Sequence, residues 1–287
     1  MKIIVQSMLL LILCQLSVAQ KSVLINKTNG ETDTIAIADI KNITFLRMNI
    51  PQSDTCIPPL DSVVAWFQFD DTTTDAMNGR IGTRFGQASF GMGVVREGLE
   101  LDGFGSFCSF PDTTLYDLKT SLSIVCWVKL SAPISAQPYP GWRGNYSIII
   151  EKGNGDYHYR NYGLYFSRAD NTLCFNGADT ANTNYVFLTI LEHADSLFDD
   201  LDWHHVAAVW NRSTATSSIF IDGKLLVSTS GTNGDLTTND ETLKIGAEAA
   251  DQFFLDGSVD EVLIFGRAIT PTEVEALYNS GAKGVCR

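Results

Sequence analysis

The chain has 287 residues, of which 45% are hydrophobic, and its 33 acidic against 20 basic side chains leave a formal charge of −13. A surface this acidic repels phosphate backbones, which argues against a nucleic-acid partner. The length fits one large all-β domain with a small appendage.

The first nineteen residues read as a secretory signal. Lys2 supplies a positive start, Met8–Leu13 form a short apolar run, and Ser17-Val18-Ala19 places small side chains where a signal peptidase cuts. The run is too short for a comfortable bilayer span, and no later segment is apolar enough for one. Cleavage is expected after Ala19. Cys14 offers a lipoprotein alternative, but Leu13 stands where a lipobox wants a small residue. The mature chain is expected to be secreted, and losing Lys2 takes its charge from −13 to −14.

Residues 20–46 read as a small β module, two alternating stretches flanking the hairpin dipeptide Asn29-Gly30. Such a hairpin is too small to hold a core of its own. Residues 47–60, with Pro51, Pro58 and Pro59, read as a linker.

From Asp61 to Arg287 short strand signals follow one another: VVAWFQF, SLSIVCWVKL, YSIIIEK, YGLYFS, TLCF, YVFLTIL, WHHVAAVW, SIFI, TLKIG and VDEVLIF. Turn residues such as Asp222-Gly223 separate them. The pattern predicts a two-sheet antiparallel sandwich rather than alternating βα units. One helix stands out. Thr270-Pro271-Thr272-Glu273 has the makings of a capping box with proline at the first helical position, and Val274, Leu277 and Tyr278 share a face that Gly281 ends.

Five cysteines remain after cleavage, an odd number that excludes complete internal pairing. Cys108, Cys126 and Cys174 sit in strand-like runs, where a thiol packs as a small hydrophobe. Two arrangements stay open on this reading: a Cys56–Cys286 bridge with three buried thiols, or a Cys108–Cys126 cross-strand bridge.

Taken in order, several segments resemble the LamG-like jelly-roll family, of the laminin G and concanavalin A-like type. VVAWFQFDD is similar to its opening strand and EGLELDGFGSFCSF to its (A/S)-x-x-F-D-G-x-x-D-Y-V stretch. SLSIVCWVKL is similar to F-T-I-x-x-W-V-K, and WHHVAAVWN with IFIDGKLL to the W-H-H-V-A and V-D-G pair. DGSVDEVLIFGRAITPTEVEALYNSG is similar to the closing segment. The resemblance covers residues 61–283 and implies an all-β jelly-roll sandwich with one short C-terminal helix. Bacterial members begin C-x-P-P and finish A-G-K-C, which implies that Cys56 pairs with Cys286.

Glycoside hydrolases sharing this sandwich carry two carboxylates at alternate strand positions, as in E-x-D-x-x-E. The chain has no such string, and Asp199-Asp200-Leu201-Asp202 falls in an expected loop. A non-catalytic module is therefore expected. His204 and His205, adjacent on a strand, point to opposite faces and cannot readily share a ligand.

Calcium is the cofactor that the resemblance implies. IGAEAADQFFLDG is similar in position to the pentraxin segment L-G-Q-E-Q-D-x-F-x-G, which makes Glu248 and Asp251 ligands with Asn154 and Asp156 as partners; Ala249 and Ala250 depart from that pattern. A second calcium is implied at Asp260, near Asp70 and Asp102, against the alternative that Asp260 accepts backbone N–H groups. The segment 131–163 gathers Tyr139, Trp142, Tyr157 and Tyr159, aromatic rings suited to stacking on sugars, in a loop-rich stretch. The expected partner is carbohydrate or a cell-surface glycoconjugate, or alternatively another surface protein.

Overall fold

The computed structural model describes residues 22–26, 32–36, 50–51, 53–138, 145–153, 160–180, 184–248 and 251–287. The chain divides into two compact units, Met1–Met48 and Asn49–Arg287. In the first, β1 (Ser22–Asn26) pairs antiparallel with β2 (Thr32–Ala36), Asn26 opposite Thr32.

The second unit opens with β3 (Val63–Phe67), β4 (Thr83–Phe85), β5 (Ser89–Met92), β6 (Glu97–Asp102), β7 (Phe107–Phe110) and β8 (Leu122–Leu130). It continues through β9 (Tyr146–Lys152), β10 (Tyr162–Ser167), β11 (Thr172–Ala178), β12 (Tyr185–Leu191) and the single turn α1 (Asp195–Phe198). It closes with β13 (His204–Asn211), β14 (Thr216–Ile221), β15 (Lys224–Ser230), β16 (Leu243–Ile245), β17 (Asp256–Phe265) and α2 (Pro271–Ser280).

Two antiparallel sheets result. One has seven strands in the order β12-β11-β10-β9-β16-β7-β4; the other has eight, β15-β14-β13-β8-β17-β6-β5 with β3 also on β17. The strand signals and the jelly-roll expectation are met. Alternation explains the layering. In β13, Val206, Ala208 and Trp210 point between the sheets, while Ala207 and Val209 point outward. That outer face is apolar because α2 covers it, with Val274 and Leu277 buried against Val125, Ala207 and Val209. Each such side chain, fully buried, contributes about 1.5–3 kcal/mol. The expected capping box is present: Thr270 accepts from the Glu273 N–H at 3.2 Å, and Glu273 Oε2 accepts from the Thr270 N–H at 2.7 Å.

Cys56 and Cys286 form a disulfide with a Cα–Cα distance of 5.0 Å. Beside it Ile57 N–H donates to the Gly284 carbonyl and Cys286 N–H to the Ile57 carbonyl. Cys108, Cys126 and Cys174 are free and buried. Cys108 and Cys126 lie on opposite sheets, so they are not cross-strand neighbours. Burial pushes both thiols up to about 12, which keeps them protonated and unreactive.

His204 and His205 face opposite ways. His204 packs on Phe198 with Nδ1 at 2.8 Å from Asp222 and Nε2 at 3.1 Å from Asp200. His205 lies under Trp127 and Tyr278, where burial lowers its pKa to about 4. His204 serves packing and hydrogen bonding, whereas the His205 ring serves packing, its Nδ1 having no hydrogen-bond partner among the described residues.

Candidate ligand-binding face

The seven-stranded sheet turns one face to the core, through Ile150, Leu164, Phe175, Leu243 and Ile245. The opposite face carries a polar row. Register places Ser109, Lys244, Glu151, Gly163 and Asn176 side by side across β7, β16, β9, β10 and β11. Directly paired residues share a face, so these groups gather although they are far apart in sequence.

Arg160, just before β10, completes the row. A Cβ on Gly163 would lie 2.5 Å from Arg160 Cδ, so only glycine lets the arginine cross β10. Its Nη2 then reaches Glu151 Oε2 at 2.7 Å, Nη1 donates to Asn176 Oδ1 at 3.4 Å, and the guanidinium sits 4.9 Å over the Tyr165 ring. Asn176 Nδ2 donates to the Tyr165 hydroxyl at 3.3 Å. Glu248 enters from the chain after β16, buried, with Oε2 accepting no hydrogen bond among the described residues. Burial and the neighbouring Glu151 charge raise its pKa to about 7, against the pull of Arg160 and Lys244.

An aromatic fringe borders these charges. Phe85, half-exposed on the edge strand β4, stacks on Phe107 at 4.6 Å, and Phe107 stacks on Phe254 at 6.1 Å. Lys244 Nζ lies 5.1 Å over Phe107. Tyr146, also half-exposed, meets Tyr165 and Phe253 edge-on. The face thus sets a buried row of charged and amide groups beside half-exposed rings able to stack.

The residues expected to hold calcium distribute differently. Glu248 belongs to the buried row, whereas Asp251 is exposed and ion-paired with Lys244. Asp260 Oδ2 accepts from the backbone N–H groups of Val94 at 2.6 Å and Val95 at 2.8 Å. Asp70 and the buried Glu261 are bridged by the Arg287 guanidinium, and Asp102 Oδ1 accepts from Phe104 N–H at 2.8 Å. Calcium needs six to eight oxygens. Among the described residues no group of three or more His, Cys, Asp or Glu side chains is placed to hold a metal ion. Asn154, Asp156, Tyr139, Trp142, Tyr157 and Tyr159 lie outside the described residues.

Glu151, Arg160, Asn176 and Lys244 escaped the sequence reading, which sought carboxylates within a single strand. The available signal was a charge within an otherwise apolar strand, as in YSIIIEK and TLKIG. As a chemical arrangement, Glu151 and Glu248 are a carboxylate pair from separate segments. Both are almost fully buried, at 1% and 3% exposure, and Glu151 is neutralised by Arg160. In this geometry neither reaches a glycosidic bond in solvent.

A pH effect follows from Glu248. Unfolded, its carboxyl ionises near 4.5; folded, near 7. The folded state therefore holds the extra proton between those values, and stability falls as pH rises through that window. Glu248→Gln is expected to add about 3 kcal/mol at pH 8 and nothing at pH 4. Urea denaturation of the two proteins at both pH values checks this, and the shared His205 titration cancels in the difference.

Two facing antiparallel sheets, one with a polar, aromatic-edged outer face, define a jelly-roll sandwich. Residues 102–275 match the family described as the Concanavalin A-like lectin/glucanases superfamily, and the chain belongs to it. A search of curated protein sequences finds no match. Among solved structures, the chain resembles the binding domain of Paraclostridial Mosquitocidal Protein 1, with a TM-score of 0.60 and 15% identity over 77% of this chain and 52% of that one. It also resembles the binding domain of Botulinum neurotoxin DC in complex with rat synaptotagmin II, at TM-score 0.58 and 15% identity over 77% and 52%. The ligand binding domain of Botulinum neurotoxin serotype D in complex with N-acetylneuraminic acid gives 0.58 and 13%, over 77% and 51%. The chain spans about half the length of these structures, and at such identities the likeness is one of fold.

Proposed function

We propose that this protein is an exported, non-catalytic module that binds carbohydrate or a surface glycoconjugate through the outer face of the seven-stranded sheet. The observation that carries this reading is the pair of half-exposed rings, Phe85 and Tyr146, standing at the border of the buried Lys244–Glu151–Arg160–Asn176 row. Sugars present apolar ring faces to such aromatics. Superfamily membership and the sialic-acid complex of one fold neighbour support it. The disulfide suits an oxidising compartment, in keeping with a signal peptide over residues 1–19, a small module over 20–46 and a linker over 47–60. Among the described residues no helix is long and apolar enough to cross a membrane.

A protein partner is the second reading. It is favoured by the exposed Ile81, Met92 and Phe104 and by the synaptotagmin complex of another neighbour. Calcium assistance rests on Asn154 and Asp156.

A glycan array separates these readings. Binding of a defined glycan, weakened about tenfold by Tyr146→Ala or Phe85→Ala, corresponds to roughly 1.4 kcal/mol of lost stacking and supports the first. Absence of any bound glycan, with a surface protein captured instead, overturns it. Repeating the array in chelator tests the metal, and release of reducing sugar from a bound polysaccharide would refute the non-catalytic assignment.

A further inference from the structure

Lys152 ends β9 and its side chain is fully buried. Glu151 faces the outer row; Lys152 turns instead to the end of the sandwich where the segments before β8 and before β16 meet. Its Nζ lies 2.6 Å from the Asn239 carbonyl, 2.7 Å from the Glu241 carbonyl and 3.0 Å from Asn239 Oδ1. Asp112 Oδ1 is 2.9 Å away and Asp117 Oδ1 3.3 Å. An ammonium carries three donors, so five oxygens outnumber them. Two carboxylates, an amide oxygen and two backbone carbonyls are instead the donor set of a hard divalent cation. The charges agree. Asp112 and Asp117 neutralise two positive charges, and Lys152 supplies one.

We infer that Lys152 is a built-in cation: its ammonium occupies an oxygen cage of the calcium type, and shortening the side chain turns that cage into a divalent-cation site. Oxygen-to-metal distances of about 2.3–2.6 Å require only modest contraction of the shell. The neighbouring segments are already pinned by Asn161, whose Nδ2 donates to the Leu118 carbonyl at 2.9 Å and also to the Thr237 carbonyl. The ligands therefore stay assembled when the ammonium is removed.

The test is thermal melting of the full chain and of Lys152→Ala, each with and without calcium chloride. Lys152→Ala is expected to melt roughly 10 °C lower, because two carboxylates lose their counter-charge. Calcium should then raise its melting temperature several degrees more than it raises the wild type's, and Lys152→Ala combined with Asp117→Asn should lose that gain. A destabilised Lys152→Ala with no calcium increment beyond the wild type's overturns the inference. So does a wild-type intact mass short by one ammonia, since Nζ would then be bonded to Asn239. Where Lys152→Ala does not fold unaided, refolding in calcium is the readout, and failure of calcium to restore the fold also overturns it.

Discussion

Replacing both Cys56 and Cys286 by serine is expected to lower the melting temperature by roughly 10 °C. The two residues are 230 positions apart, so the bridge removes the closure entropy of a very long loop. On the chain-entropy model that is worth about 5 kcal/mol, and losses of native disulfides fall at about 2–5 kcal/mol. In a domain of this size each kcal/mol moves the midpoint by about 2–4 °C. The bridge also anchors Arg287, the next residue, between Asp70 and the buried Glu261. Burial and the adjacent Asp260 already drive the Glu261 pKa well up, and losing the guanidinium leaves that carboxyl without its cation. Calorimetry of Cys56→Ser/Cys286→Ser, with Arg287→Ala in the intact-disulfide background, separates the entropic part from the charge part. An unchanged midpoint in the double serine variant would show that the Ile57 hydrogen bonds to Gly284 and Cys286 hold the ends together alone.

The second large effect is expected at Arg160. Arg160→Met leaves Glu151 buried without a counter-charge, and breaking such a pair from one side costs about 3–5 kcal/mol. Arg160→Met with Glu151→Gln should recover most of that loss, since the charge then goes with its partner. A double-mutant cycle by urea denaturation measures the coupling. Gly163→Val should reproduce much of the single-variant loss without touching either charge, because its side chain fills the path the arginine takes. Two single variants whose effects simply add would mean that Glu151 and Arg160 are not coupled.

Most of the architecture is legible along the chain because it depends on local alternation. HHVAAVWN and LSIVCWVKL are apolar on both faces, which marks strands covered on both sides, and the Thr270–Glu273 box fixes where the covering helix starts. The candidate ligand-binding face is less legible. Its groups come from six strands and two flanking segments, so no window of sequence contains them. Glu151 and Lys152 are neighbours in YSIIIEK, yet the pleat sends one to the outer row and the other into the oxygen cage.

By itself the sequence determined the sandwich, its short helix and the small hairpin, since each arises from side-chain period, turn chemistry or a cap within a few residues. It also favoured Cys56 with Cys286 through the resemblance at its ends. Only the tertiary structure decided that Cys108 and Cys126 lie on opposite sheets, that Arg160 crosses β10 at Gly163, and that Asp251 pairs with Lys244. Those outcomes depend on register between strands distant in sequence. Register is set by the packing of the whole core, and no local pattern records it.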